Sequence, residues 1–326
     1  MKAPSFIGPL HTNDDSILQT TVEKLTGQIS HQVKDSLAIE EPLEIQINYG
    51  PSNARRTRSI SVTMRTPGND FDLAAGFLMT EGVIRDANDI EQIKYAGEAF
   101  SEGTQSPQAM DVLKLGSKHN TVRVDLAADV AVNAGSLQRN FYTTSSCGIC
   151  GKASLLALRA FCPPRAPNNF TMDAQILYRL PDRLRASQGV FDRTGGLHGA
   201  GLFDSAGNLL ALREDVGRHN AVDKLIGAEF FADRTPLRDR LLLLSGRASF
   251  ELLQKALMGG LPMVAAVGAP SSLAVQVAKE FDITLVGFLR ENHFNIYNGR
   301  ERITGYTSTS MGVGDEVANE GRYSAG

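Results

Sequence analysis

Two cysteines separated by two residues, Cys147 and Cys150, sit in the stretch Ser145–Lys152, SSCGICGK, and they are two of only three cysteines in 326 residues. Thiols at this spacing can exchange electrons as a dithiol, supply half of a zinc site, or carry sulfur. Gly148 and Gly151 flank the pair and allow turn angles and close approach of a partner's backbone that other residues resist. The next ten residues, Lys152 to Phe161, read as a helix, with Leu155, Leu156 and Leu158 on an apolar face and Ala153, Ala157 and Ala160 favouring helix. A thiol just ahead of a helix start lies near unpaired backbone N–H groups and the positive end of the helix dipole. Both stabilise thiolate, the nucleophilic form, and lower the pKa from its free value. The pattern marks a place where sulfur does chemistry.

Each chemical reading makes its own demand. A dithiol redox pair usually sits near the start of a thioredoxin-like unit, which this position does not match. A zinc site needs two more ligands. There is no second C-x-x-C, and none of the six histidines opens an H-x-E, the partner motif of zinc deaminases. His198 and His219 keep zinc open as an alternative. A persulfide carrier needs one ionised thiol that takes a sulfane sulfur and passes it on by exchange. Two inert buried cysteines would fit poorly among glycines and serines. Cys162, followed by Pro163-Pro164, reads as incidental.

The elements that must position this chemistry are legible as periods. Glu44 to Asn48, Arg58 to Met64, Val112 to Leu115 and Thr121 to Leu126 alternate apolar and polar residues, as half-buried strands do. Thr66-Pro67-Gly68-Asn69 signals a turn before a short helix, capped by Asp70 or Asp72 and running through Met79 towards Gly82. Ile17 to Val33 reads as an amphipathic helix, and Gly97 to Pro107 as a polar loop. After the cysteines the character changes. Ala200 to Phe203 and Leu209 to Leu212 flank Ser205-Ala206-Gly207-Asn208 as a hairpin. Solid apolar strands, Leu241 to Leu244, Met263 to Val267 and Thr284 to Phe288, then alternate with helices over Gly217 to Phe231, Ala248 to Met258 and Ser272 to Phe281, and Phe294 to Tyr297 closes the series. This alternation predicts an α/β fold: a mixed, largely parallel sheet with helices on both faces, plus a smaller N-terminal α+β domain. The implied organisation is an extension (1–40), the small domain (41–140), the larger domain with the cysteine loop (141–304) and a disordered tail (305–326).

Ligands gather at the C-terminal ends of strands in such sheets. There the chain places Ser245-Gly246-Arg247, Gly268-Ala269-Pro270-Ser271-Ser272 and Arg290-Glu291-Asn292-His293. The first resembles an anion loop without the full nucleotide-triphosphatase pattern, and Ser271 is first of all an N-cap signal. Arg218, His219 and Asn220 at a helix start could meet phosphate or a purine edge. Equally, Glu214 or Asp215 could pair with Arg218 and cap that helix, with Asp223 and Lys224 on a solvated face. The turn Thr194–Gly199 leads into a strand, its glycines either making the turn or letting backbone approach a ligand. Together the loops suit a nucleotide-like ligand.

A formal net charge of −3, with 42% hydrophobic and 21% charged residues, excludes the bulk positive field used for nucleic acid or anionic membranes. Three cysteines make no disulfide framework, and no signal-length or spanning apolar run is present. A cytoplasmic protein is expected.

The motifs SSCGICGKASL, TGGLHGAGL, REDVGRHNAVDKLIG, SGRASFELLQKA, APSSLAVQVAKE and GFLRENHFNIY, recurring in order, resemble the formate dehydrogenase accessory sulfurtransferase family, FdhD, and the resemblance runs from roughly Glu44 to Tyr297. The resemblance implies a homodimeric sulfurtransferase that accepts sulfur as a cysteine persulfide from a cysteine desulfurase. It would hand that sulfur to molybdenum bis-guanine-dinucleotide cofactor, bound as substrate, so that formate dehydrogenase becomes active. By motif, Cys147 matches the persulfide-bearing cysteine and Cys150 its companion. Phe288, Leu289, Arg290, Glu291, Asn292 and His293 match the cofactor-binding segment, to which the strand-end reading adds Ser245, Arg247 and His219. The resemblance implies no metal held by the protein itself. The resemblance also implies a cytidine deaminase-like larger domain, although the missing H-x-E leaves deamination unimplied. The alternatives are a carrier that escorts the cofactor without sulfur chemistry, and a zinc-binding deaminase-like protein.

Overall fold

The structure is a computed structural model that describes residues 5–7, 16–96, 119–132, 155, 158–159, 162 and 167–307. In chain order the strands of its first part are β1 (Ser5–Ile7), β2 (Ile17–Thr26), β3 (Ile29–Ala38), β4 (Glu41–Tyr49), β5 (Arg56–Arg65), β6 (Ile90–Tyr95) and β7 (Thr121–Leu126), with helix α1 (Asp70–Thr80) after β5. The second part holds β8 (Met172–Asp173), helices α2 (Ala174–Leu177), α3 (Leu180–Ser187) and α4 (Gly189–Thr194), then β9 (His198–Phe203), β10 (Leu209–Asp215) and α5 (Arg218–Phe231). It ends with β11 (Leu241–Leu244), α6 (Phe250–Met258), β12 (Met263–Ala266), α7 (Ser272–Glu280), β13 (Thr284–Gly287), β14 (Asn295–Asn298) and β15 (Ile303–Thr304).

The larger sheet has the order β10-β9-β11-β12-β13-β14. β11, β12 and β13 run parallel, because helices long enough to cross over join them. β9, β10 and β14 are antiparallel to their neighbours, so parallel pairing is confined to the middle of the sheet. Those central strands are covered on both faces, and their residues sort by parity. Leu242, Leu244, Val264, Ala266 and Leu285 join one buried cluster with α5, α6 and α7. Leu241, Leu243, Met263, Ala265 and Val286 join the other, with Leu177, Leu180 and Leu184 of α2 and α3. Two buried faces explain why these strands read as unbroken apolar runs.

The smaller sheet has the order β1-β6-β7-β4-β5. Its inward residues Leu43, Ile45, Ile47, Val122 and Val124 belong to the same buried cluster as Leu225, Ile226 and Leu252. The two sheets therefore share one apolar core, and α1 against α5 is the main contact between them. Gly76 and Gly227 make that contact possible. A Cβ at Gly76 would lie 1.9 Å from the Asp223 carbonyl oxygen, and one at Gly227 would lie 1.9 Å from that of Asp72.

One expectation fails outright. Ile17 to Val33 is not a helix but most of the β2–β3 hairpin, paired from Ile17–Ala38 to Thr26–Ile29. Gly27, at φ 63°, supplies the turn, and the threonines, valines and isoleucines favour strand. Strand β6 was not legible in the sequence. The Val112–Leu115 strand, the Gly97–Pro107 loop and the tail from Ser308 lie outside the described residues. So does most of Lys152–Phe161, of which Leu155, Leu158 and Arg159 are described as helical.

Candidate functional site

Topology decides which loops meet. β9 is antiparallel to β11, so its first residue, His198, stands beside the end of β11. β10 returns antiparallel to β9, which brings Asp215 to the same edge, opposite His198. Helices α5, α6 and α7 all begin from this edge, following β10, β11 and β12. The first turns of α5 and α6, with Gly217 and Ser249 as N-caps, take no hydrogen bond from a capping side chain, whereas Ser271 caps α7 by accepting from the Ala274 N–H at 3.2 Å. Open helix N-termini present N–H groups and partial positive charge to an anion.

The three strand-end loops predicted to converge do so. The Gly268 N–H donates to the Gly246 carbonyl at 2.9 Å, and the Phe288 N–H donates to the Gly268 carbonyl at 3.1 Å. Ala248 and Ser271 add two more backbone bonds between the first two loops. Within this frame Arg247 is exposed and has no hydrogen-bond partner among the described residues. Phe288 is 39% exposed and holds φ 53°, a conformation that costs a bulky residue roughly 1–3 kcal/mol. Hydrogen bonds on both sides impose it, since the Leu289 N–H donates to Ala266 at 3.1 Å. Arg290 donates from Nη1 to the carbonyls of Val267 (2.6 Å) and Leu289 (3.0 Å). Its N–H closes a turn onto the His293 carbonyl. Glu291, Asn292 and His293 are exposed at the tip of that turn, and a His293 Nδ1–Asn292 Oδ1 contact of 3.1 Å joins two of them.

Two of the candidates are structural. Leu289 is fully buried in the second apolar cluster, so it anchors the segment instead of meeting a ligand. Ser245 extends the β9–β11 ladder. Its Oγ accepts the Gly199 N–H at 2.8 Å, and its own N–H donates to the Gly199 carbonyl at 3.0 Å.

The dense stretch Arg213–Lys224 divides between scaffold and edge. Arg213 reaches Asp72 on α1 at 2.9 Å. Glu214 caps α4 by accepting from the N–H groups of Val190 and Phe191. Asp215, fully buried, pairs with Lys224 at 2.7 Å and accepts from Thr66 N–H, Gly217 N–H and Asn220 Nδ2. Asn220 is spent likewise, accepting from Thr63 and donating to the Met64 carbonyl, so it cannot read a purine edge. Asp215 therefore pairs with Lys224, not Arg218. Lys224 and Asp223 are not on a solvated face; both are 2% exposed. A second buried group, missed in the sequence, lies one turn along. Lys255 meets Asp223 at 2.9 Å and Glu81 at 3.3 Å. Burial opposes its charge, but the two carboxylates outweigh burial and raise its pKa.

What remains at the edge is Arg218, His219 and His198. The Arg218 Nε–H is buried with no hydrogen-bond partner among the described residues. His219 Nε2 lies 3.8 Å from Glu251 Oε2 and 3.5 Å from Ser249 Oγ, and His219 is the main cause that holds the Glu251 carboxyl well below its usual range. Burial, then the nearby Arg218 and His219, lowers the His198 pKa, with Asp215 working the other way. Cys147 and Cys150 lie outside the described residues. Among the described residues no three His, Cys, Asp or Glu gather as they would around a metal ion, and no helix is long and apolar enough to cross a membrane.

Residues 38–304 match the family model described as the FdhD/NarQ family. A Streptomyces avermitilis protein named sulfur carrier protein FdhD is 48% identical over 285 residues, covering 85% of this chain and 92% of that one. A Mycobacterium tuberculosis protein of the same name is 50% identical over 273 residues, covering 83% and 92%. Among solved structures, a Desulfotalea psychrophila protein described as a formate dehydrogenase accessory protein superposes with a TM-score of 0.62 at 22% identity, covering 88% of this chain and 99% of that one. That last likeness is one of fold.

Proposed function

The chain belongs to the FdhD/NarQ family, and from that premise we propose that it is a sulfur carrier serving formate dehydrogenase. In this reading the Cys147 thiolate attacks the outer sulfur of a persulfide on a cysteine desulfurase. The donor's thiolate leaves and Cys147 becomes Cys147–S–SH, with no net oxidation. The Cys150 thiolate then attacks the inner sulfur, forming a Cys147–Cys150 disulfide and releasing hydrosulfide beside the acceptor, after which the disulfide needs a reductant thiol. The acceptor is molybdenum bis-guanine-dinucleotide cofactor, held as substrate.

The observation that carries the reading is the convergence of three loops and two uncapped helix starts on one edge of the larger sheet. That edge has the chemistry for guanine dinucleotide arms. Phe288 offers a half-exposed ring for stacking a base, and Arg247, Arg290 and His219 offset phosphate charge. Glu291, Asn292 and His293 would contact the same ligand from the turn tip. The cytidine deaminase likeness of the larger domain belongs to this proposal and rests on the parallel trio covered by helices on both faces.

The test is restoration of formate dehydrogenase activity in cells that lack the protein. Cys147→Ala should abolish it while the purified variant keeps the native unfolding midpoint. Full restoration by that variant would favour a carrier that escorts the cofactor without sulfur chemistry, and would end the proposal.

A further inference from the structure

His198 opens β9, partly buried, and makes no hydrogen bond among the described residues. Its Nδ1 edge is open because residue 246 is a glycine. A Cβ there would lie 3.5 Å from Nδ1 and 3.6 Å from Cε1, in van der Waals contact with the ring, so the missing side chain leaves a space beside it. Arg218, on α5, stands near enough for its charge to act on the ring. It has no carboxylate partner among the described residues, since Asp215 is committed to Lys224, and its sealed Nε–H meets no acceptor there. A guanidinium left unpaired in a partly buried place favours an anion.

These groups set two demands. A ligand must carry negative charge for Arg218, and it must bring a proton for the ring. Burial, then Arg218 and His219, lowers the His198 pKa while Asp215 opposes them, so at neutral pH the imidazole is unprotonated and one ring nitrogen accepts. A pyrophosphate diester meets the first demand and not the second, because it has acceptors alone. Hydrosulfide meets both. We propose that His198 and Arg218 form the sulfur-receiving end of the ligand edge: Arg218 holds hydrosulfide, and the His198 imidazole takes its proton as the sulfur bonds to molybdenum. The proposal rests on the carrier reading and deepens it. Strand order supplies the placement. Phe288 follows β13, Arg247 follows β11, and His198 opens β9, the neighbour of β11. From β13 to β9 is three strand spacings, about 14 Å. With guanine on Phe288 and phosphate at Arg247, the metal-bearing end of the same arm falls at His198. There the sulfur lone pair forms the bond to molybdenum, the S–H bond breaks with its electron pair kept by sulfur, and the proton passes to the ring nitrogen. No oxidation state changes. Coordination acidifies S–H as it does the O–H of metal-bound water, which brings the transfer within reach of an imidazole. The groups facing His198 are Arg218 and His219 from α5, Asp215 from β10 and Gly246 from the loop after β11, whose Arg247 lies over Gly268. Glu251 of α6 stands behind His219.

The test separates uptake from delivery. The full chain is loaded by a cysteine desulfurase and cysteine, and intact mass records the gain. The loaded chain then meets formate dehydrogenase whose cofactor lacks the sulfur, at settings between about pH 5 and 8, and samples are assayed for formate oxidation at one fixed pH. Native delivery should rise with pH through an apparent pKa below the ordinary histidine value and then level. His198→Gln should load fully and bind guanosine diphosphate as the native chain does, yet deliver about 100-fold more slowly and lose the rise. Arg218→Gln should slow delivery about 10-fold and keep the rise, moved to higher pH by the lost positive charge. Gly246→Ala closes the Nδ1 edge with one methyl and should slow delivery about 10-fold with His198 in place; it decides the matter if His198→Gln fails to fold. Native-rate delivery by His198→Gln, a rise that survives in it, or a loss matched by weaker guanosine diphosphate binding would each overturn the proposal. A native chain that takes up no sulfur would end the carrier reading and this proposal together, whereas these faults in delivery leave that reading standing.

Discussion

Charged residues occupy two neighbouring layers at one end of the larger sheet, and the layers behave differently. In the inner layer Asp215–Lys224 and Asp223–Lys255 are sealed between α1, α5 and α6, each charge bonded to an ion partner and to at least one further group. In the outer layer Arg247 has no such partner among the described residues, and Arg290 spends one nitrogen on backbone carbonyls. A buried pair repays its desolvation only when every bond is made, so the inner layer is architecture that fixes how the two sheets meet. An exposed guanidinium keeps its donors for a ligand. Residue type does not separate the two roles; burial and partnership do.

That contrast can be broken or sharpened by experiment. Lys224→Met leaves Asp215 buried without its ion partner and should cost about 3–5 kcal/mol of stability, read from chemical unfolding. An unchanged midpoint would deny the inner layer its structural role. At the edge, Arg247→Ala should shift stability by no more than about 0.5 kcal/mol, yet weaken binding of guanosine diphosphate about 10-fold, measured by calorimetry. A stability loss like that of Lys224→Met would erase the distinction. The smallest effect concerns pH. Because the His198 pKa is lowered in the fold, the unfolded chain takes up a proton first as pH falls. Stability should therefore decline from the ordinary histidine value down to the depressed folded one. His198→Gln should flatten that part of the profile; an identical slope would show that His198 does not carry it.

The central strands β11 and β12 of the larger sheet were legible because burial on both faces leaves nothing but apolar side chains, as in Leu241–Leu244. Convergence of the loops followed from the strand–helix alternation. The β2–β3 hairpin was misread because its apolar residues, at Ile17, Leu18, Val22, Leu25, Ile29 and Val33, also fit a helical spacing, and one glycine decided the matter. Asp223, Lys224 and Asn220 were misjudged for a different reason. Their partners Thr80, Lys255, Thr66 and Thr63 come from distant parts of the chain, and local sequence carries no sign of them. Leu289 entered the binding segment by the family motif it shares with Phe288 and Arg290; their side chains are exposed, whereas its own alternates into the core.

The central claim concerns Cys147, and intact-mass measurement tests it most directly. The full chain, incubated with a cysteine desulfurase and cysteine, should gain one sulfur atom that maps to the peptide containing Cys147 and is lost on reduction. No gain, or a gain that persists in Cys147→Ala, would contradict the account.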